Sequence, residues 1–367
     1  MLVIGGGIVG AGVARDAAMR GLRTGLVEKH DLAFGTSSRS SRLLHGGLRY
    51  LAQGRLGLVY EASREKMLLH KIAPHLAEPL AFVFPTYRNK TWPRWKLSIG
   101  VKLYDLLCGR RNLGRSETLG PAAVRERLPG IREEDLTGAV RYYDGFTNDA
   151  RLVLDTVRSA ARHGAVVLNY AEFCEAVADG SVWRCGVRNL LGGTELDVKA
   201  RCVVNAAGPW AAAIPHSRMR LRLTKGVHLV IDARRLPLAS AVVMTEGSRI
   251  LFAIPWGERV ILGTTDTDYA GPIEAVAADA RDVAYILEVV NRHFPGAALT
   301  PADVIGAWAG LRPLIVDQRR PAGRVPRSVP GQGGPSDISR AHQILMPEPG
   351  WFDVAGGKLL LREWTRV

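Results

Sequence analysis

The chain has 367 residues, of which 47% are hydrophobic and 23% charged. That balance is the composition of a folded globular protein and excludes a disordered chain; the length calls for one large or two closely joined domains. A formal net charge of +14, with a pI near 10.0, favours anionic partners: phosphorylated metabolites, anionic lipid surfaces or nucleic acid.

Nucleic acid is the weakest of the three, because there is no recognition-helix module or zinc-finger spacing and the basic residues are spread over many elements. Cys108, Cys174, Cys185 and Cys202 form no C-x-x-C pair, and no histidine cluster has metal-ligand spacing, so reduced thiols and no metal site are expected. No run approaches the ~20 apolar residues of a spanning helix. No charged segment followed by a cleavable apolar one precedes the first strand, so no signal peptide is expected.

Leu2–Ile4 is a short apolar run of β type leading into Gly5, Gly7 and Gly10, after which 11–21 reads as a helix. This is the G-x-G-x-x-G turn of a βαβ dinucleotide site. Gly5 allows the tight turn, Gly7 lets backbone approach a pyrophosphate, and Gly10 lets helix and strand pack closely. The helix N-terminus offers N–H groups and a positive dipole end to phosphate. A second apolar run, 24–27, ends at Glu28, where a carboxylate for a ribose hydroxyl is expected.

The segment 29–41 has neither helical nor strand periodicity and offers the hydroxyls of Thr36, Ser37, Ser38, Ser40 and Ser41 to an anionic cofactor, with Arg39 and Arg42 as phosphate partners. His45, Gly46, Gly47, Arg49 and Tyr50 then suggest a close approach to a flat ring. Leu56–Ile72 has helical spacing and is stopped by Pro74. In 92–108, Trp92, Trp95, Leu97, Ile99, Val101, Leu103, Tyr104 and Leu106 alternate with Arg94, Lys96 and Lys102. Such a stretch is either a helix in a lipid interface or an ordinary amphipathic helix with a solvated basic face.

A helix is expected over 149–164, a strand over 165–169, and a hairpin from 182–188 and 194–198. The run 201–206 ends in Asn205-Ala206-Ala207-Gly208-Pro209-Trp210, whose small residues again let backbone come close to a cofactor. Strands are read over 221–231, 249–255 and 259–264, and their alternation suggests an antiparallel sheet covering the cofactor. A helix follows at 280–294, then Gly310-Leu311-Arg312-Pro313, a Pro-, Gly- and Arg-rich loop at 317–336, and a last strand-to-glycine step at Val354-Ala355-Gly356-Gly357-Lys358.

Taken in order, GGGIVGAGVARDAAMRGL, TSSRSSRLLHGGLRYL, NAAGPW, KGVHLVI, FAIPW, GTTDTDY, GLRPL, SDISRAH and AGGKL resemble the FAD-dependent glycerol-3-phosphate dehydrogenases, respiratory flavoenzymes of the D-amino-acid-oxidase-like group. The resemblance runs over nearly the whole chain. It implies an α/β (α+β) fold: an FAD-binding Rossmann-like βαβ domain with an interleaved antiparallel-sheet substrate domain. Residues 1–75, 145–215 and 340–367 are then the discontinuous FAD-binding domain, and 76–144 with 216–339 the substrate-binding cap region. The family's C-terminal helical domain is expected to be missing, since Leu360, Leu361, Arg362, Glu363 and Trp364 follow where the family continues differently. Val9 stands where the family carries Asn.

The implied reaction is oxidation of sn-glycerol 3-phosphate to dihydroxyacetone phosphate, with electrons passing to the membrane quinone pool. The implied location is cytoplasmic and peripheral, on the anionic inner face of the cell membrane; a homodimer is left open. The rival readings are a related oxidase that uses dioxygen, an amine oxidase, and a catalytically impaired fragment. Cofactor positions carried over are Gly5, Gly7, Ile8, Gly10, Glu28, Lys29, Thr36, Ser37, Ser41, His45, Gly47, Ala207, Gly208 and Gly357. Around the substrate stand Arg49, Tyr50, Arg312, Arg340 and Lys358. A neutral histidine suits the role of proton acceptor near pH 7; His228 and His45 compete for it, with His228 favoured, and Arg312 and Lys358 complete the catalytic set.

Overall fold

The structure, a computed structural model, describes residues 1–45, 56–88, 92–107, 112–247, 249–316 and 342–356. Gly47, Arg49, Tyr50, Arg340, Gly357, Lys358 and the 317–336 loop lie outside these residues.

Alternation along the first strand sets the first sheet. Val3 faces a helical layer, whereas Leu2 and Ile4 face the other side, as a period of two requires. The strand sits inside a six-stranded sheet in the order His342–Glu348, Trp351–Gly356, Val203–Asn205, Leu2–Ile4, Gly25–Val27, Val166–Leu168. All neighbours are parallel except the first two, which are antiparallel. Ile8–Met19 and Asp149–Arg162 cover one face through Ala11, Ala14, Ala18, Val153, Val157 and Ala160. These small residues let the helices lie close, and Arg15 Nε donates to Ser159 Oγ at 2.9 Å across them. A three-stranded antiparallel sheet, Ala171–Asp179, Val182–Asn189 and Glu195–Ala200, covers the opposite face around Trp183 and Trp351.

The first helix begins at Ile8, three residues before the sequence suggests, because the glycine turn itself forms its first turn with Gly7 as N-cap. The expected hairpin is present, and the strand Ala171–Asp179, which the sequence reading leaves out, extends it to a sheet.

The second sheet has ten strands and is antiparallel apart from one pair, Ala241–Glu246 beside Glu78–Tyr87. Its main path runs Thr267–Asp268, Leu221–Asp232, Arg259–Gly263, Arg249–Trp256, Ala241–Glu246, Glu78–Tyr87, Leu136–Phe146, Leu43–Leu44. Val304–Ile315 pairs with Leu221–Asp232, and Glu117–Leu119 with Leu136–Phe146. Ala280–His293 packs Ile286, Leu287, Val289 and Val290 onto one face, against Val227, Leu229 and Ile231. Arg94–Leu107 packs Leu97, Val101 and Tyr104 onto the other, against Phe82, Phe84 and Tyr142.

A buried ion pair ties this second face together. Lys66, from the helix Leu56–Ile72, is fully buried and donates to Asp144 Oδ1 at 2.9 Å, and Tyr104 OH donates to the same oxygen at 2.5 Å. Removing one partner leaves an uncompensated buried charge, which costs about 3–5 kcal/mol. Lys66→Ala is therefore expected to lower the unfolding free energy by about that amount in urea denaturation, while Lys66→Met with Asp144→Leu recovers most of the loss. A single variant as stable as the parent would show that the pair does not hold the helices.

Candidate cofactor and substrate site

The two sheets meet at a cleft of about 720 Å³. Its floor at one end is the glycine turn. Gly5 has φ +106°, and a Cβ there would stand 2.6 Å from Ala206 O. A Cβ at Gly10 would fall on Gly5 O. Gly10 is thus a packing residue of the turn and does not line the cleft, whereas Gly5, Gly7 and Ile8 do. A Cβ at Gly7 would meet only Ser37 Oγ, at 3.3 Å, so the wall here is open backbone.

Glu28 ends the second parallel strand and braces the turn. Its Oε2 accepts from Gly6 N at 2.6 Å and its Oε1 from His30 N at 2.8 Å. Lys29 lines the same end and pairs with Glu172 at 2.9 Å. Ala207 and Gly208 face the turn from the neighbouring parallel strand, Gly208 with φ +56°.

The loop after Glu28 crosses to the second sheet. Ser37 Oγ accepts from Ile8 N at 3.0 Å, capping the first helix, and Thr36 Oγ1 donates to Leu311 O at 2.6 Å. Arg39 lies over the Phe34 ring at 4.9 Å, and Arg42 over Trp256 at 4.1 Å and Trp308 at 5.6 Å. Ser41 and His45 line the cleft beyond them.

Opposite this loop, pairing register places the polar groups. Val227, Leu229 and Ile231 go into the core beneath Ala280–His293, so His228 and Gly226 face the cleft. Val304–Ile315 pairs so that Trp308 stands opposite His228, Gly310 opposite Gly226 and Arg312 opposite Thr224. His228 stacks on Trp308 with centroids 5.3 Å apart, and its Nε2 lies 2.8 Å from Ser41 Oγ. Its Nδ1 is buried without a hydrogen-bond partner. Burial first, then the charges of Arg312 and Arg42, push its pKa down to about 3, so the ring is neutral at physiological pH.

The Arg312 guanidinium lies flat over Gly226, where a Cβ would fall on it. It donates to Thr264 Oγ1 at 3.0 Å, Thr265 O at 3.3 Å and Asp266 Oδ1 at 3.2 Å. The structure thus brings Gly5, Gly7, Ile8, Glu28, Lys29, Thr36, Ser37, Ser41, His45, Ala207, Gly208, His228 and Arg312 onto one cleft. Sequence reading missed three groups here: Thr264–Asp266 as the cradle of Arg312, Trp308 behind His228, and the buried Asp149 beside Ser40. The motif GTTDTDY was the available signal for the first; nothing local marks the other two.

A parallel strand, glycine turn and helix with an acid ending the next strand, opening onto an antiparallel sheet that carries a neutral imidazole and a guanidinium, define a nucleotide-cofactor oxidoreductase. Residues 1–338 match the family described as FAD dependent oxidoreductase, and the chain belongs to that family. It is 40% identical over 365 residues to glycerol-3-phosphate dehydrogenase 2 of Mycobacterium tuberculosis, covering 98% of this chain and 60% of that protein. It is 40% identical over 329 residues to the alpha-glycerophosphate oxidase of Streptococcus pyogenes, covering 86% of this chain and 54% of that one. The glycerol-3-phosphate dehydrogenase of Bacillus halodurans, solved in complex with FAD, superposes with TM-score 0.74 at 33% identity, over 98% of this chain and 61% of that one. The chain thus spans about 60% of the length of these dehydrogenase relatives.

The cleft fits the family's cofactor, FAD. The Cβ-free turn at Gly5 and Gly7 would admit a pyrophosphate against its backbone, and the Glu28 carboxylate at the end of the second strand would be the acceptor for a ribose hydroxyl. Glu28→Ala leaves the Gly6 and His30 amides unpaired as well as removing that carboxylate. Titration of apoprotein with FAD, followed by flavin fluorescence, is expected to show a dissociation constant raised roughly ten- to a hundredfold, the equivalent of about 1.5–3 kcal/mol. Undiminished affinity would remove Glu28 from the site.

Proposed function

We propose that the chain oxidises sn-glycerol 3-phosphate to dihydroxyacetone phosphate. The observation that carries the proposal is Arg312 on the cleft wall opposite the strand that bears His228, in a chain 40% identical to a glycerol-3-phosphate dehydrogenase. A phosphate dianion calls for a guanidinium, whose planar fork matches its oxygens. Thr264, Thr265 and Asp266 hold that fork in place before substrate arrives.

FAD, when bound, supplies the two-electron acceptor for the hydride leaving C2. The protein's own task is the proton of the C2 hydroxyl. With Nδ1 sealed in the wall, that proton reaches His228 at Nε2 through Ser41: the alcohol proton passes to Ser41 Oγ while Ser41's own proton passes to Nε2. Phosphate on Arg312 offsets one of the two cationic fields that hold the imidazole's basicity down, so substrate binding itself strengthens the acceptor. His45 lies on the same cleft and is the second candidate.

The same reading passes the electrons to a membrane quinone at an anionic lipid surface. Among the described residues no helix is long and apolar enough to cross a membrane. Arg94–Leu107, however, is apolar on two sides: Leu97, Val101 and Tyr104 are buried, while Trp95, Ile99 and Leu106 are 62%, 60% and 74% exposed. Exposed Lys96 lies beside this outer stripe and exposed Lys102 sits within it, between Ile99 and Leu106, and Lys96 Nζ lies 5.4 Å from the Trp95 ring centroid. Rings at headgroup depth with cations beside them are the signature of an interfacial helix.

Anaerobic addition of glycerol 3-phosphate to the holoprotein is expected to bleach the flavin. Arg312→Ala is expected to raise the apparent substrate dissociation constant by roughly tenfold or more, about 1.5–3 kcal/mol for a charged hydrogen bond, with FAD retained. Unbleached flavin in the parent protein would refute the activity. A quinone analogue should then reoxidise the flavin faster than air does; the reverse order would favour the oxidase. In flotation with vesicles containing anionic lipid, Trp95→Glu with Leu106→Glu is expected to leave most of the protein at the bottom of the gradient while the parent floats. Equal flotation of both would dismiss the helix as the lipid contact.

A further inference from the structure

We propose that Asp149 is a positioning residue of this site: acting through Ser40, it holds residues 40–42 in the register that sets Ser41 against His228. The inference rests on the reading of His228 as proton acceptor.

Asp149 opens the helix Asp149–Arg162, but capping does not require it. That task falls to Asn148, whose side chain accepts from Arg151 N at 3.2 Å. Asp149 is only 3% exposed, and Ser40 Oγ donates to its Oδ2. Its Oδ1 is buried without a hydrogen-bond partner, although the residue borders the cleft. Burying a carboxylate with one oxygen unsatisfied is costly and infrequent, so the placement of Asp149 calls for an explanation. The same burial pushes its pKa up to about 6, against the pull of the Ser40 bond and the Arg42 charge.

The contacts that fix the imidazole converge on Ser40. Ser40 Oγ also accepts from Arg42 N at 2.9 Å, and Ser40 O accepts from Trp308 Nε1 at 3.2 Å. Trp308 is the ring stacked on His228, at an interplanar angle of 19°. Ser41, the next residue, supplies the hydroxyl 2.8 Å from Nε2. Arg42 has φ +57°, a conformation that a non-glycine residue keeps only under external constraint. That constraint comes partly from Thr147 N, which donates to Arg42 O at 2.9 Å, two residues before Asp149. One segment, 147–149, thus anchors the strip at both Arg42 and Ser40. Without the carboxylate the Ser40 hydroxyl loses its acceptor, and the strip keeps the ties from Arg42 N, Trp308 and Thr147 but not the one to Asp149.

The test uses holoprotein labelled with 15N-histidine, with the His228 ring signals assigned by comparison with His228→Gln. Asp149→Ala and Ser40→Ala are each expected to shift those signals, and the double variant to shift them no further, since both remove one bond. Asp149→Asn keeps an oxygen for Ser40 to donate to and is expected to leave them in place. In anaerobic reduction by glycerol 3-phosphate, Asp149→Ala should lower the limiting rate about tenfold, with the apparent substrate dissociation constant within about twofold, and Asp149→Asn should restore most of the rate. Unmoved His228 signals in Asp149→Ala, additive shifts in the double variant, or equal losses in the Ala and Asn variants would each overturn the assignment. If Asp149→Ala fails to hold FAD, Ser40→Ala alone decides. If the parent flavin is not bleached at all, the proposed activity fails, while the substrate-free nitrogen signals still judge Asp149.

Discussion

A strand cannot point two successive side chains the same way, and the second sheet turns that constraint into a site. In Leu221–Asp232, burial of Val227, Leu229 and Ile231 beneath Ala280–His293 fixes one face as core. His228 and Gly226 then have only the cleft to face. The partner strand repeats the logic: Ala309 joins the same core, so Trp308, Gly310 and Arg312 meet His228, Gly226 and Thr224 across the ladder. A one-residue slip of either strand would carry the imidazole and guanidinium into the apolar side. The hydrophobic core thus specifies the polar site without touching any ligand.

The first sheet contributes through backbone shape, and one loop couples the two. Thr36 is bonded to Leu311 O, and Ser40 O is held by Trp308. A Cβ at Gly310 would stand 2.7 Å from Arg39 O, so that glycine permits loop and strand to touch. The other end of the same loop caps the first helix through Ser37. Any displacement of the second sheet therefore reaches the glycine turn through fewer than ten residues of chain. The two walls of the cleft therefore cannot drift independently.

Much of this was legible in the sequence where sterics or period decide. The glycine turn, Glu28, the strands over 221–231, 249–255 and 259–264 and the helices Leu56–Ile72 and Ala280–His293 all follow from local pattern, whereas the strand Val304–Ile315 that pairs with His228 does not. The strands Glu78–Tyr87 and Leu136–Phe146 do not. The first carries Pro79 and Pro85, which count against a central strand, yet both stand in the ladder, Pro79 opposite Gly145 and Pro85 opposite Ala139. The second contains Gly138 at φ +132° and Gly145, so its alternation is broken. Lys66 and Asp144 are 78 residues apart in sequence and become partners only when three elements have assembled. No periodicity predicts a lysine with no exposure at all. From the sequence Asp149 is an ordinary helix start for the same reason: its partner, Ser40, stands 109 residues away.

Two cations on neighbouring strands show how far the alternation reaches into the electrostatics. Lys225 and Arg312 are one register step apart, since Lys225 pairs with Leu311 and Thr224 with Arg312. Lys225 points to the core side and meets two carboxylates, Asp279 at 2.8 Å and Asp282 at 2.6 Å, at the start of the covering helix. Its charge is more than matched there, and it serves as a pin between helix and sheet. Arg312 points to the cleft, where its contacts include the Asp266 carboxylate, Thr264 Oγ1 and Thr265 O. Its field therefore reaches His228 and helps hold that ring neutral. Exchange of the two faces would have neutralised the guanidinium and left a strongly hydrated ammonium in the cleft. A neutral imidazole beside this arginine requires this register, and the register is set by valines, leucines and isoleucines on the far side of the strand.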